Sequence, residues 1–186
     1  ASDVYKRQLM VFHIPDDLNR DLMPLAWMIG HWEGDGHGAE TDGTQFEFGC
    51  QIDFTENGGD FLHYICQTYH KNPDGTPARP LRMETGYWRP RVDSKSLTVV
   101  MTAQEGWSEL WSGSIDGAKI EMRTDTVVRA DDASVAYTAG QRLYGQVNSD
   151  LLWTFDRSVE GDALKPYMWA QLKLSLIHIS EPTRPL

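Results

Sequence analysis

The sequence predicts an all-β fold, an up-and-down antiparallel barrel of about ten strands preceded by one short helix. Three observations carry this. Apolar residues alternate with polar ones, as in "FEFGCQIDF", where Phe46, Phe48, Cys50, Ile52 and Phe54 share one face and Glu47, Gln51 and Asp53 the other. Turn chemistry recurs at short intervals, in "NGGD", "NPDGTP", "PRVDSKS", "AQEG", "SIDG", "RADD", "VNSD" and "VEGD". The chain also holds seven Trp, seven Tyr and six Phe, which favour strands over surface helices.

Taken in order, residues 19–30 (NRDLMPLAWMIG) form a short apolar segment ending at a glycine, which predicts a plug of one or two helical turns. Strands are then expected at 31–38, 45–56, 61–70, 79–90, 96–103, 107–112, 119–128, 134–147, 151–157 and 164–173. Connections this short bring each strand back beside its predecessor. A meander of that length removes its edges by closing on itself and encloses a cavity. A two-sheet sandwich is the alternative that pattern alone leaves open. No internal repeat or low-complexity linker divides the chain, so one domain is expected.

The two ends stand apart. Residues 1–8 (ASDVYKRQ) and 174–186 (beginning LSLIHIS) resemble translation of one transposase-type sequencing adapter read inward from both sides. The native unit is therefore expected at 9–173, and His178 is set aside as a ligand candidate.

The formal net charge is −10, with no basic run, which argues against nucleic acid or an anionic membrane surface as partner. No apolar stretch approaches the ~20 residues of a membrane span. No secretory leader is legible, and a cytoplasmic protein is expected. The two cysteines, Cys50 and Cys66, have no metal-finger spacing and are expected as free thiols. A three-residue hairpin loop would set them opposite each other, and a two-residue loop would not.

Candidate chemistry is sparse. In "GHWEGDGHG" the alternating Gly30, Gly34, Gly36 and Gly38 around Trp32 leave one strand face bare, which suits sharp bending and close backbone approach. The pattern is not a dinucleotide-binding fingerprint. His31 and His37 share a face ~20 Å apart, and His63 and His70 fall on opposite faces, so no strand carries a chelating pair. There is no GxSxG elbow. Glu84, Glu105, Glu109, Glu121 and Asp125 alternate with apolar residues and are expected to face solvent. An aromatic interior without a catalytic constellation implies an apolar ligand.

The ordered set "LAWMIGHWEGDGHG" (with GxWxGxG at Gly30, Trp32, Gly34 and Gly36), "FEFG", "FLHYICQTY", "METGYWRP", "QRLYGQVNSDLLWTFD" and "LKPYMWAQLK" resembles the nitrobindins. That family also occurs as the C-terminal domain of a human THAP-type zinc-finger protein. The resemblance implies a calycin (lipocalin-like) barrel related to fatty-acid-binding proteins, with ferric haem b inside. It also implies nitric oxide binding and isomerisation of peroxynitrite to nitrate. The family's iron-binding histidine on the last strand aligns with Tyr167, and its haem-near threonine aligns with Asp42, flanked by Thr41 and Thr44. A phenolate favours ferric iron, whereas imidazole serves both oxidation states. Three outcomes are therefore open: haem through Tyr167, haem without a protein ligand, or a non-haem hydrophobic cargo.

Overall fold

The computed structural model describes residues 14–175. Residues 1–8, most of 174–186 and His178 lie outside the described residues. The first element is a 3₁₀ helix, Arg20–Met28. It starts where the Asn19 side chain accepts from the Asp21 N–H at 2.9 Å. It is longer than the expected turn or two, and its Leu22, Leu25 and Met28 are fully buried.

Ten strands follow: β1 (Gly30–Ala39), β2 (Gln45–Thr55), β3 (Leu62–Lys71), β4 (Pro77–Arg91), β5 (Ser96–Ala103), β6 (Trp107–Asp116), β7 (Lys119–Arg129), β8 (Tyr137–Val147), β9 (Asp150–Val159) and β10 (Lys165–Ser175). Each pairs antiparallel with its neighbour in sequence, and β10 returns to β1, closing the barrel. The sandwich alternative is thereby excluded. Leu174 and Ser175, beyond the expected native boundary, continue the ladder opposite Trp32 and His31. Among the described residues no helix is long and apolar enough to cross a membrane.

The helix covers one barrel end. Its Asp21 carboxylate accepts from Val92 N–H at 2.9 Å in the β4–β5 turn, and Trp32 Nε1 donates to Met28 O at 2.7 Å. The opposite end is framed by the β1–β2, β3–β4, β5–β6, β7–β8 and β9–β10 connections. Two of the GxWxGxG glycines lie where a side chain has no room. A Cβ on Gly34 would stand 3.1 Å from Leu172 Cα, and one on Gly36 would stand 2.6 Å from Trp169 O, so β1 and β10 approach closely only because the side chains are missing.

Three expectations need correction. "SIDG" is not a turn after Ser112: β6 runs on to Asp116 because Ile115 is buried opposite Ile120, and the reversal falls at Gly117 with φ 57°. The β2–β3 connection takes neither the two- nor the three-residue form. Thr55 pairs with His63, so Ile52 faces Cys66 and Cys50 faces Thr68. The two cysteines are diagonal neighbours on the inner face, unbonded, with sulfurs 3.9 Å apart. The third correction concerns the buried charges.

Candidate functional site

Tyr167 sits at the barrel end away from the helix, and a β-bulge puts it there. Pro166 pairs with Asp156 and Met168 with Phe155, leaving Tyr167 as the extra residue. Strand parity predicts opposite faces for Tyr167 and Met168. The bulge overturns this: both side chains turn inward, at 5% and 1% exposure.

The Tyr167 ring lies between Phe46 and Phe155, with centroids 6.1 and 5.7 Å away. The Arg157 guanidinium covers it at 3.4 Å from the centroid. Arg157 is in turn held by Glu40 at 3.0 Å, at the base of the β1–β2 turn. Burial pushes the Tyr167 phenol above its ordinary pKa, and the Arg157 and Arg82 charges oppose that rise.

The β1–β2 turn carries the other three residues that the resemblance points to. Thr41, Asp42 and Thr44 are all exposed. The Asp42 carboxylate accepts from Thr44 N–H at 2.8 Å, which lowers its pKa and commits it to its own turn. The structure thus brings the turn and Tyr167 to the same end and links them through Glu40 and Arg157.

Deeper in the barrel is a cluster that the sequence reading placed outside. Glu84 and Glu109 are only 3% exposed and face the interior together with Arg82 and Arg142. Arg142 donates to both Glu84 oxygens, at 2.5 and 2.8 Å, and Tyr64 donates to the same carboxylate at 2.7 Å. Arg82 bridges Glu84 at 2.9 Å and Glu105 at 2.7 Å. Burial alone would raise the Glu84 pKa, but Arg142 and Arg82 outweigh it and hold the carboxyl at about 2. Burial raises Glu105 and Glu109, which have weaker compensation.

The missed signal was parity read against the tryptophans. Arg82 and Glu84 share the face of Trp88 in β4, and Glu109 lies between Trp107 and Trp111 in β6. A charge on a buried tryptophan's face is an interior charge.

The four histidines among the described residues make no cluster, and no group of three or more candidate metal ligands occurs there. His31 bonds Asp53 at 2.7 Å, and His63 bonds Thr85 at 3.0 Å. His37 stacks on Trp169 at 6.2 Å.

Residues 21–173 match the family described as the THAP4-like, haem-binding beta-barrel domain. This chain belongs to that family. A "Ferric nitrobindin-like protein" of Cutibacterium acnes is 69% identical over 166 residues, covering 89% of this chain and all of the relative. A "Peroxynitrite isomerase" of Nocardioides sp. is 36% identical over 163 residues, covering 88% of this chain and 98% of the relative. Among solved structures, Rv2717c of M. tuberculosis superposes with a TM-score of 0.72 at 27% identity, covering 85% of this chain and 99% of that one. The nitrobindin resemblance and the calycin-type barrel expected from it therefore hold.

Proposed function

We propose that this barrel takes ferric haem b, or a similarly flat hydrophobic ligand, at the end marked by Tyr167. The supporting observation is the bulge that turns the phenol inward between Phe46 and Phe155 under the Arg157 guanidinium. The donor set fits ferric iron: Tyr167 offers an oxygen that ligates as phenolate, Arg157 offsets the negative charge, and the two phenylalanines supply apolar faces. It does not fit ferrous iron, which prefers a neutral imidazole. Bound ferric haem would supply a Lewis-acidic iron for nitric oxide or peroxynitrite. This chain's residues hold and orient the group, and Arg157 competes with burial over the Tyr167 proton.

A second reading is a non-haem carrier of a hydrophobic molecule, like the fatty-acid-binding proteins. It is favoured by the raised Tyr167 pKa, which keeps the phenol protonated and a weak ligand. In both readings the protein is cytoplasmic, in keeping with its unbonded thiols, and has neither nucleic acid nor membrane as partner. We infer the native domain as 9–173, flanked by adapter-derived ends.

Hemin titration followed by absorption spectroscopy separates the readings. Wild type should bind ferric haem weakly, Tyr167→Phe should lose that binding, and Tyr167→His should bind tightly and form a ferrous nitrosyl species. Asp42→Ala should match wild type, because that carboxylate is used within its own turn. Equal hemin affinity in wild type and Tyr167→Phe would eliminate the axial tyrosine. Uptake of a fluorescent fatty acid with no hemin binding by any variant would establish the carrier.

A further inference from the structure

The faces of aromatic rings carry partial negative charge, so rings set at an angle beside a carboxylate attract a cation into the corner they form. The outer wall next to the β2–β3 connection is built this way. Thr55, His63 and Tyr87 are neighbours across β2, β3 and β4. Strand alternation turns all three outward, because Phe54, Leu62 and Trp88 beside them fill the core. Phe61, just before β3, meets the Tyr87 ring edge to face, with centroids 5.4 Å apart and planes at 82°. The His63 ring lies 5.5 Å from that of Tyr87.

These rings and the connection border an open pocket of about 250 Å³, lined by Thr55, Glu56, Asn57, Phe61, His63 and Tyr87. Its parts are held in place. His63 Nε2 donates to Thr85 Oγ1 at 3.0 Å, since that hydroxyl spends its own proton on Tyr64 O at 2.9 Å. One Glu56 oxygen accepts from Gly58 N–H at 2.6 Å, which leaves the other for the pocket. The lining holds one carboxylate and no lysine or arginine. Arg91, at the same end of the barrel, bonds Asp60 at 3.2 Å instead. Tyr87 nevertheless stays 50% exposed, an aromatic face that packing has left uncovered.

We propose that Glu56, Phe61, His63 and Tyr87 form a surface site for a quaternary ammonium group, separate from the barrel interior. The chemistry of the lining selects this class. The carboxylate and the ring faces disfavour an anion. A primary ammonium or a guanidinium brings several N–H donors that need acceptors. The acceptors here are largely used, with Asn57 Oδ1 taking Gly59 N–H at 3.1 Å and one Glu56 oxygen on Gly58. A quaternary ammonium has no donor to satisfy. Its charge is spread over methyl groups that ring faces and a single carboxylate oxygen accommodate. The pocket lies on the outer wall, so a ligand reaches it without any opening of the barrel.

Tetramethylammonium chloride is the probe, titrated into the ¹⁵N-labelled full chain at constant ionic strength, with ammonium and guanidinium chloride in parallel. The expected result is a saturable shift of the Gly58 and Gly59 amide signals, with Overhauser contacts from the probe's methyl protons to the Phe61 and Tyr87 rings. Tyr87→Leu should weaken binding roughly two- to fivefold through loss of one exposed cation–π contact. Glu56→Gln should weaken it by a similar factor, and Tyr87→Trp should tighten it, because an indole face attracts cations most strongly. Tyr167→Phe should leave the affinity unchanged, which separates this site from the proposed haem end. Shifts that never saturate, equal affinity in wild type, Tyr87→Leu and Glu56→Gln, or ammonium binding as tightly as tetramethylammonium each overturn the proposal.

Discussion

Replacing Glu84 by glutamine keeps the side chain's shape and removes its charge, leaving the buried Arg142 and Arg82 guanidinium groups without the carboxylate they share at 2.5–2.9 Å. Removing one partner of a buried ion pair costs roughly 3–5 kcal/mol, because the remaining charge is stranded in a low dielectric. A domain of this size loses about 2–4 °C in Tm per kcal/mol. Glu84→Gln should therefore melt about 6–20 °C below wild type at pH 7.

The pH dependence carries a definite sign. Glu84 has a folded pKa of about 2 against an ordinary 4.5, so its stabilisation is complete above pH 4.5 and is lost as pH falls toward 2. The gap between wild type and Glu84→Gln should accordingly narrow between pH 5 and pH 3. Differential scanning calorimetry across that range tests both statements. The double variant Glu84→Leu/Arg142→Met should recover much of the loss, since both charges then leave the interior together. A Glu84→Gln Tm within about 2 °C of wild type, with an unchanged pH profile, would refute the interior network as a stabilising element.

Two further substitutions, one inside the barrel and one at the β1–β10 contact, have defined outcomes. Burial raises the Glu109 pKa, so its contribution is favourable below pH 4.5 and lost as pH rises through the raised value; Glu109→Gln should gain thermal stability relative to wild type at pH 8, and the gain should vanish near pH 4. Gly36→Ala would push a methyl onto the Phe48 ring and Trp169 O, at a cost of about 1–3 kcal/mol from overpacking, readable as a lowered urea midpoint with little change in slope.

The fold was legible because each of its determinants is local. The alternation from Phe46 to Phe54 survives intact, with Phe48, Cys50, Ile52 and Phe54 fully buried, and the glycine turns fall between strands nearly as read. The errors came where geometry departs from period two or where a strand's length is set by its partner. The bulge at Tyr167 reverses one side chain, and nothing in "KPYMW" alone specifies it, because the slip is defined only against Asp156 and Phe155 on β9. The β2–β3 register and the extension of β6 to Asp116 were decided in the same way, by what lies across the ladder.

The candidate site shows the same division. The sequence by itself determined an aromatic antiparallel β fold and membership of its family, since these depend on residue identity and spacing. Only the tertiary structure decided that Tyr167 faces inward beneath Arg157, and that Glu84, Glu109, Arg82 and Arg142 meet inside the barrel. Charges on three separate strands are unremarkable one by one. Closing the sheet brings β4, β6 and β8 around a common interior, and there each charge must find a partner, change its protonation or bind something that satisfies it.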